Sequence, residues 1–399
     1  MLSFCGIFKN EEAALPACLN SVRDIVDEMI VLDTGSSDRT PEIARELGAQ
    51  VYDFEWGQNF SDARNYALQY VQGDWVLVLD ADEVLTPEIK PQLQQAIQSS
   101  EHILINLIRQ EVGAVQSPYS LISRLFRKHP DVYFTRPYHS IVDDSIQVLL
   151  EREPQWQIGY LSEVAILHYG YQPGAIASLN KFARAQAAME GFFKLHPEDP
   201  YVCCKLGALY MQTGKFDQGI ELLERGLQSI QKSPAPDPNL LYELYYHLGN
   251  VQTRFRNWQS AADFYQAAIQ QSLLPKLKLG AYNNLGSLLL GVGDLATAKQ
   301  AYETVLQIDP SFAIGHYNLG TTLKALGDLS GAIACYQRAI HLNSDYAEAY
   351  QNLGVALWKL GDLTASIEAF KQAIALHETQ NPAVAQELRQ TLQEMGWQV

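Results

Sequence analysis

Apolar and polar positions follow two different periods along this chain. In residues 1 to about 110, short apolar runs typical of buried strands alternate with stretches of helical period. Such alternation predicts an α/β domain with a mostly parallel sheet and helices on both faces. Two helix starts are readable, one at Thr40-Pro41 and one near Asn59 or Ser61. The predicted strands are Leu2–Phe8, Met29–Leu32, Gln50–Phe54, Trp75–Leu79 and His102–Arg109.

Beyond about residue 172 the strand pattern stops and a repeated helical pattern begins. Leu-Gly pairs recur at Gly286, Gly320 and Gly354, a spacing of 34 residues, and a Gly-Asp-Leu turn keeps the same spacing. This is the tetratricopeptide pattern, in which small residues at a helix crossing face aromatic rings. Gly207 and Gly249 mark earlier, more widely spaced copies. The small positions are Ala298 and Ala332, and the aromatic ones are Tyr265, Tyr302, Tyr336 and Phe370.

These two patterns predict the domain organisation. Residues 1–172 form the α/β domain, 173–198 a connecting helix, 199–380 about five repeats, and 381–399 a polar capping helix of the kind that a solenoid needs at its open end.

Composition narrows the functional classes. The 399 residues carry 45 acidic and 29 basic side chains, a formal charge of −16, which argues against nucleic acid or an anionic membrane as partner. Five cysteines without a Cys-x-x-Cys pair give no disulfide framework and no zinc site. The N-terminal apolar run lacks signal-peptide features, and no apolar run is long enough to span a bilayer. These features agree with a soluble cytoplasmic enzyme.

Two of the predicted strands run into acidic turns. One ends at Asp33, which Asp38 follows, and the other ends at Asp80-Ala81-Asp82-Glu83. Ligands of open α/β sheets bind beyond the carboxyl ends of the strands. Side chains at i and i+2 of an extended segment share a face, so Asp80 and Asp82 can point into one site. One would face a sugar hydroxyl and the other a hard divalent cation, which prefers carboxylate oxygens.

These turns are part of a set of motifs that resembles the family 2 glycosyltransferases, in the bacterial branch with helical repeats after the catalytic domain. The resemblance covers about the first 90 residues and implies a nucleotide-binding domain of the GT-A type. An isolated Asp-x-Asp is common, but four motifs in order at family spacing are specific. The four segments are Lys9–Glu12, Asp33–Thr40, Ser61–Asn65 and Gly73–Glu83.

The resemblance implies residues for a nucleotide-sugar donor, best a UDP-sugar. Glu11 and Asp33 would hold the base and ribose, since the uracil N–H needs an acceptor such as a carboxylate. Arg64 would lie near the diphosphate or base, because its guanidinium offers a rigid fork of donors; otherwise it is a solvated helix arginine. Asp38 would either contact the nucleotide or only form a local turn. Asp80 would contact the donor sugar.

The resemblance also implies a metal ion. Asp82 is the expected ligand of Mn²⁺ or Mg²⁺, with substrate phosphates and water completing the shell. His168 resembles a late histidine that sometimes joins this site, although a packed, hydrogen-bonded core histidine is the alternative.

The catalytic base stays open at this point. Relatives often carry a His-Glu pair, where this chain has His139-Ser140. His139, Asp143, Asp144 and Glu83 are the alternatives, and histidine has an intrinsic pKa suited to the role. The segment Ser117–Asp144 is expected to form the acceptor-side wall, through the basic residues Arg124, Arg127, Lys128 and Arg136.

The leading hypothesis is a metal-dependent, inverting glycosyltransferase of hexosyl or N-acetylhexosaminyl type. It would use a nucleotide-sugar donor and a protein or glycan acceptor held in the groove of the repeats. The rival is a non-catalytic scaffold that binds nucleotide sugar, suggested by Ser140, although retention of Asp80 and Asp82 favours an enzyme. A nicotinamide-dependent oxidoreductase is excluded because no Gly-x-Gly-x-x-Gly follows the first strand.

Overall fold

The structure, a computed structural model, describes residues 1–114, 116–170 and 179–397. Its contacts divide the chain into two compact units, Met1–Leu240 (unit 1) and Leu241–Val399 (unit 2). Unit 1 therefore contains the α/β sheet and also the first helices of the repeat region. The predicted domain limit at residues 172 and 173 lies outside the described residues.

The described strands of unit 1 form one eight-stranded sheet in the order β3-β2-β1-β4-β7-β6-β8-β5. Four of their pairings are parallel and three are antiparallel, because β7 runs against both β4 and β6, and β5 against β8. The strands are β1 (Leu2–Phe8), β2 (Glu28–Asp33), β3 (Gln50–Asp53), β4 (Trp75–Val78), β5 (Glu83–Leu85), β6 (His102–Glu111), β7 (Tyr119–Arg127) and β8 (Gln157–His168).

All five predicted strands are present, and three further strands were not predicted. β5 is only three residues long, β7 mixes polar with apolar positions, and β8 does so as well until the short apolar run Val164–Leu167 at its end. The antiparallel β7 lies between β4 and β6, which no local pattern indicates. Strand order depends on contacts between residues far apart in the chain.

Helices cover both faces of the sheet, as predicted. Along β4, Leu77 packs into the core below α1 and α4, whereas Val76 and Val78 pack into the core below α3 and α5. Both helix starts are also confirmed, at Thr40 and at Phe60 with Asn59 as its cap. The helices are α1 (Leu15–Val22), α2 (Thr40–Glu46), α3 (Phe60–Leu68), α4 (Lys90–Ala96) and α5 (Asp143–Arg152).

The described residues after 178 are mainly helical and form one helix, then five consecutive pairs, and then a final helix. None of the described helices is both long enough and apolar enough to cross a membrane. They are α6 (Leu179–Leu195), α7 (Pro200–Gln212), α8 (Phe216–Ile230), α9 (Pro238–Arg254), α10 (Trp258–Ile269), α11 (Leu279–Val292), α12 (Leu295–Ile308), α13 (Ala313–Ala325), α14 (Leu329–Leu342), α15 (Ala347–Leu360), α16 (Leu363–Gln380) and α17 (Pro382–Glu394).

The repeated glycines mark close helix crossings. A Cβ atom on Gly286 would lie 2.8 Å from the ring of Tyr302, and one on Gly320 would lie 2.9 Å from the ring of Tyr336. The aromatic ring therefore occupies the space that a side chain would need, which explains the predicted pairing of small and aromatic residues.

The Gly-Asp-Leu turns connect the two helices of a pair. Gly327 ends α13 in a left-handed conformation (φ 87°), and Asp328 then accepts a hydrogen bond from the amide of Gly331 at 2.9 Å, which caps α14. A left-handed C-terminal glycine and an aspartate N-cap are favoured at these positions. The motif thus ends one helix and starts the next.

Candidate active site

The turn after β2 is held together by Asp33, which is 5% exposed. Its Oδ2 atom accepts hydrogen bonds from the amides of Gly35 (3.0 Å) and Ser36 (2.9 Å), and its Oδ1 atom accepts one from the Ser36 hydroxyl at 2.5 Å. Gly35 takes a left-handed conformation (φ 91°) that suits glycine. Asp33 therefore fixes the turn of the predicted nucleotide-binding segment.

The loop after β1 is locked onto this turn. The backbone N–H of Asn10 (φ 57°) donates to the Ser36 hydroxyl at 2.9 Å, and the backbone N–H of Glu11 donates to the Thr40 hydroxyl at 2.7 Å. Asp38 accepts hydrogen bonds from the Thr40 amide (3.0 Å) and the Thr40 hydroxyl (2.6 Å), as its local-turn interpretation expects. The two predicted nucleotide-binding loops thus form one surface at the carboxyl ends of β1 and β2.

Asp80 lies in a turn between β4 and β5 and is held by two arginines. Its Oδ1 atom accepts a hydrogen bond from Arg64 Nη2 at 2.8 Å, and its Oδ2 atom accepts one from Arg124 Nη2 at 2.6 Å. Burial would raise the pKa of Asp80, but the charges of Arg124, Arg64 and Arg109 outweigh burial and hold the pKa well below its usual range. Asp80 is therefore ionised at neutral pH.

Arg64 keeps unused hydrogen-bond donors in the protein interior. It is 7% exposed, so it is not a solvated helix arginine, and it lies over the Phe134 ring at 5.1 Å. Burial and then the neighbouring Arg124 lower its pKa to about 10. Within the described residues, Arg64 Nε and Nη1 and Arg124 Nη1 are buried without hydrogen-bond partners. Buried donors of this kind can bind an anion such as a diphosphate.

Asp82 points in a different direction from Asp80. Its Oδ2 atom lies 3.3 Å from His168 Nε2, while His168 Nδ1 contacts Glu111 Oε2. Burial would lower the pKa of His168, but hydrogen bonds with Asp82 and Glu111 outweigh it and raise the pKa to about 9. The shared-face inference for Asp80 and Asp82 is wrong in its premise, because the backbone between them is a turn and not an extended strand.

The Asp82–His168 pair fits part of a divalent-cation site. It brings together a carboxylate oxygen and an imidazole nitrogen, and Glu111 orients the imidazole from its other nitrogen, as carboxylates commonly do for metal-binding histidines. In the part of the chain that the structure describes, no group of three His, Cys, Asp or Glu side chains could hold a metal alone. Such a pair leaves coordination positions for phosphate oxygens and water, which is usual for Mg²⁺.

His139 lies in the loop Thr135–Ile141, whose ends form an antiparallel bridge. It is exposed and has a left-handed backbone (φ 51°), and Arg136 in the same loop has φ 72°. The loop is tied to the start of α3, because the Ser61 hydroxyl donates to the carbonyl of Arg136 and the amide of Phe60 donates to the carbonyl of Pro137 at 3.0 Å. Ser61 and Arg64 share a face of α3. The loop therefore lies beside the first turn of α3, the helix that carries Arg64.

The other three candidate bases have different surroundings. Glu83 is fully buried; its Oε1 atom pairs with Arg109 at 2.9 Å and its Oε2 atom accepts the Asp80 amide at 2.8 Å. Asp144 accepts two hydrogen bonds from the Arg136 guanidinium, from Nε to Oδ2 and from Nη2 to Oδ1, each at 2.9 Å. Asp143 accepts a hydrogen bond from Ser123 at 2.7 Å, its Oδ2 atom is buried without a partner in the described residues, and burial raises its pKa.

The four basic residues that were expected to form the acceptor-side wall lie in different parts of the domain. Arg124 belongs to the Asp80 cluster and Arg136 to the His139 loop. Arg127 instead donates to the carbonyl of His102 at 2.8 Å, and Lys128 to that of Val71. These carbonyls lie near the start of β6 and before β4, at the opposite end of the sheet. Arg127 and Lys128 therefore do not form an acceptor-side wall.

Sequence reasoning did not identify Glu111 or Arg109 as site residues. Arg109 Nη1 pairs with Glu83 and its Nη2 atom pairs with Glu111 Oε1 at 2.7 Å, so Arg109 connects the acidic turn to the histidine. Two charged residues at i and i+2 near the end of an apolar strand were the available signal. Their other partners, Glu83 and His168, lie on β5 and β8, and the order of residues in the chain does not reveal these contacts.

Comparison with known proteins gives separate matches for the α/β part and for the repeat part of the chain. The family model for glycosyl transferase family 2 matches residues 3–159, and tetratricopeptide models match 201–272, 279–312, 322–361 and 347–379. Among solved structures, BtubC from P. vanneervenii aligns with 51% of this chain and 93% of its own, at 22% identity and a TM-score of 0.45.

Two relatives show the extent of the similarity. A TPR repeat-containing protein of Synechococcus elongatus is 42% identical over 309 residues, which cover 77% of this chain and 76% of the relative. The SPbeta prophage-derived glycosyltransferase SunS of Bacillus subtilis is 26% identical over 57% of this chain, and the match spans about half of its length (54%). The chain therefore belongs to the family 2 glycosyltransferases that carry C-terminal tetratricopeptide repeats.

Proposed function

We propose that this glycosyltransferase moves a hexosyl or N-acetylhexosaminyl group from a UDP-sugar to a macromolecular acceptor, with inversion and with a divalent cation. The observation that carries this proposal is the arrangement around the β4–β5 turn. There, Asp80 is held between Arg64 and Arg124, and Asp82 faces His168. Cationic donors for a diphosphate thus lie beside two possible ligands for a metal ion.

The donor would lie along the carboxyl ends of β1, β2 and β4. The locked loops after β1 and β2 would bind the uridine through Glu11 and Asp33. The free donors of Arg64 and Arg124 would bind the diphosphate, because their remaining N–H groups are buried without partners in the described residues. Asp82 and His168 would hold Mn²⁺ or Mg²⁺, which would neutralise the negative charge that builds on the leaving UDP.

His139 is the best of the four candidate bases. A base must reach the acceptor and must be able to lose and regain a proton. Glu83 is buried in an ion pair, Asp144 is held by the Arg136 fork, and the Oδ2 atom of Asp143 is buried. His139 is exposed on a left-handed loop held against the start of α3, the helix that carries Arg64, and left-handed non-glycine residues cluster at functional sites.

A thermal-shift screen of UDP-sugars, with and without MnCl₂, tests the donor and metal together. A ligand that binds only the folded state raises the unfolding temperature. At a ligand concentration of 100 times Kd it increases the free energy of unfolding by about 2.7 kcal/mol. We expect one UDP-sugar to give a shift that grows with Mn²⁺. In Asp82→Asn the Mn²⁺-dependent part of the shift should disappear, because one anionic ligand is lost.

Asp74→Asn is the matched control, since Asp74 is an exposed aspartate that pairs with the N-terminal amine before β4. It should retain the full shift. A UDP-sugar shift that is equal with Mn²⁺ and with EDTA in the wild type would contradict the metal assignment. The absence of any nucleotide-sugar shift would contradict the donor assignment.

The repeats carry a row of asparagines suited to an extended polypeptide. Asn250, Asn284, Asn318 and Asn352 recur at 34-residue spacing, one on each first helix of four consecutive pairs. Asn284 Nδ2 donates to Asn250 Oδ1 at 2.9 Å, and Asn318 Nδ2 donates to Asn283 Oδ1 at 3.0 Å. Two of the three steps along the row are therefore linked by amide hydrogen bonds, the second through Asn283, and Asn352 Nδ2 donates to the Tyr317 hydroxyl at 3.1 Å. Each asparagine in the row presents the same donor and acceptor groups as a peptide bond, so we propose that they hold the main chain of a protein acceptor.

Replacing Asn284 and Asn318 together with alanine tests this row. Transfer of labelled sugar from the UDP-sugar to protein acceptors in a cell extract should fall about tenfold, because each lost hydrogen bond contributes ~0.5–1.5 kcal/mol. Hydrolysis of the same UDP-sugar should not change. Asn257→Ala, an exposed asparagine before α10, is the control. Equal loss of hydrolysis and transfer would show that the row stabilises the fold and does not bind the acceptor.

A further inference from the structure

The His139 loop is fastened to the first repeat helix as well as to the sheet. Arg136 Nη1 donates to Asp199 Oδ1 at 2.9 Å, while Nε and Nη2 form a fork on Asp144, each at 2.9 Å. The Arg136 side chain is 10% exposed and its guanidinium lies over the Tyr201 ring at 4.4 Å. Because three of its nitrogens contact carboxylates, the direction of Arg136 is fixed.

Asp199 is a rigid anchor for this arginine. The same Oδ1 atom that accepts from Arg136 also accepts the amide of Val202 at 2.9 Å, which makes Asp199 the N-cap of α7. An N-cap carboxylate is held by backbone amides and by the positive end of the helix dipole. Asp199 therefore cannot move without disturbing the first turn of α7.

The loop needs such anchors. Arg136 and His139 both have left-handed backbones, a conformation that is strained for residues other than glycine. A strained conformation persists only when its surroundings determine it. Here α3 holds the loop carbonyls, Asp144 holds one side of Arg136, and Asp199 holds the other.

We propose that Asp199 is a positioning residue for glycosyl transfer, which acts through Arg136 to keep His139 oriented toward the acceptor. The inference rests on the proposed role of His139. It makes α7, the first helix of the repeat region, a necessary part of the catalytic centre. It also agrees with the inclusion of α6, α7 and α8 in the same compact unit as the sheet.

Two substitutions in the full-length protein separate the anchor from the cap. Asparagine is as good an N-cap as aspartate, so Asp199→Asn keeps the cap of α7 and loses the charge that holds Arg136. Asp199→Glu keeps the charge and weakens the cap. Asp328→Asn is the matched control, because Asp328 caps α14 in the same way and forms no ion pair with another described residue.

Hydrogen exchange of residues 135–141 is the first measurement, since it does not depend on activity. We expect exchange in this segment to be about tenfold faster in Asp199→Asn than in the wild type and in Asp328→Asn. The second measurement is the hydrolysis of the UDP-sugar found in the thermal-shift screen. Its kcat should fall about tenfold in Asp199→Asn with an unchanged Kd for UDP, and Asp199→Glu should restore most of it.

Unchanged exchange in residues 135–141 would overturn the inference, whatever the enzyme does. Faster exchange with unchanged hydrolysis would also overturn it, because the loop would then be anchored by α7 without serving catalysis, and the proposed role of His139 would fail with it. The absence of UDP-sugar binding in the wild type would contradict the proposed donor alone, since the exchange measurement would still report on the anchor.

Discussion

Replacement of His139 by asparagine is expected to lower kcat for sugar transfer, and for hydrolysis of the UDP-sugar, by about 10²- to 10⁴-fold, the usual contribution of a general base. Asparagine tolerates a left-handed backbone, so the loop conformation at φ 51° should survive. The Kd for UDP should not change, because His139 is proposed to act on the acceptor and not on the nucleotide.

The pH dependence provides a second measurement. A histidine base must be unprotonated, so wild-type kcat should fall on the acidic side of its pH profile, and the variant should lose this acidic limb. His129→Asn is the control; His129 accepts the amide of Asp131 at 3.2 Å just after β7 and has no proposed role. A variant His139→Asn with wild-type kcat and pH profile would eliminate His139 and leave Asp143, Asp144 and Glu83 as the remaining candidates.

Replacement of Asp80 by asparagine is expected to reduce both stability and donor binding. Without the carboxylate, Arg64 and Arg124 lose their shared partner and face each other in the interior. Breaking a fully buried ion pair costs about 3–5 kcal/mol. The Asp80 side chain is 38% exposed, so solvent screening should reduce the loss in the free energy of unfolding to about 1–3 kcal/mol.

The pH dependence of this loss has a definite sign. The pKa of folded Asp80 lies below its usual value, so the ion pairs stabilise the protein above the unfolded pKa of about 3.9 and are lost as pH falls through the folded pKa. The stability difference between wild type and Asp80→Asn should therefore be constant from about pH 5 to 8 and should shrink below about pH 4.

Urea unfolding, with the transition of residues 1–240 assigned by hydrogen exchange, measures this difference. Asp74→Asn is again the control, because its exposed pair with the N-terminal amine should contribute less than about 1 kcal/mol. A stability of Asp80→Asn equal to that of Asp74→Asn would mean that the two arginines find other partners. Asp80 would then not be the centre of the cluster.

The sequence alone determined the features that depend on local periodicity. The five apolar runs became strands, the helix starts at Thr40 and Asn59 appeared as predicted, and the spacing of Gly286, Gly320 and Gly354 located helix crossings against aromatic rings. Each of these features follows from residues within about one repeat of each other, so chain order carries the information. The family motifs also lie within the first 90 residues.

The tertiary structure decided what depends on residues far apart in the chain. Asp80 meets Arg124 only because the antiparallel β7 lies beside β4, and Asp82 meets His168 only because β8 ends beside β5. The separation of Asp80 from Asp82 depends on a turn where the pattern indicated an extended strand. The Arg136–Asp199 pair joins the His139 loop to the start of α7 across 63 residues of the chain. Burial and ion pairing are set by these contacts, and no local pattern of residues encodes them.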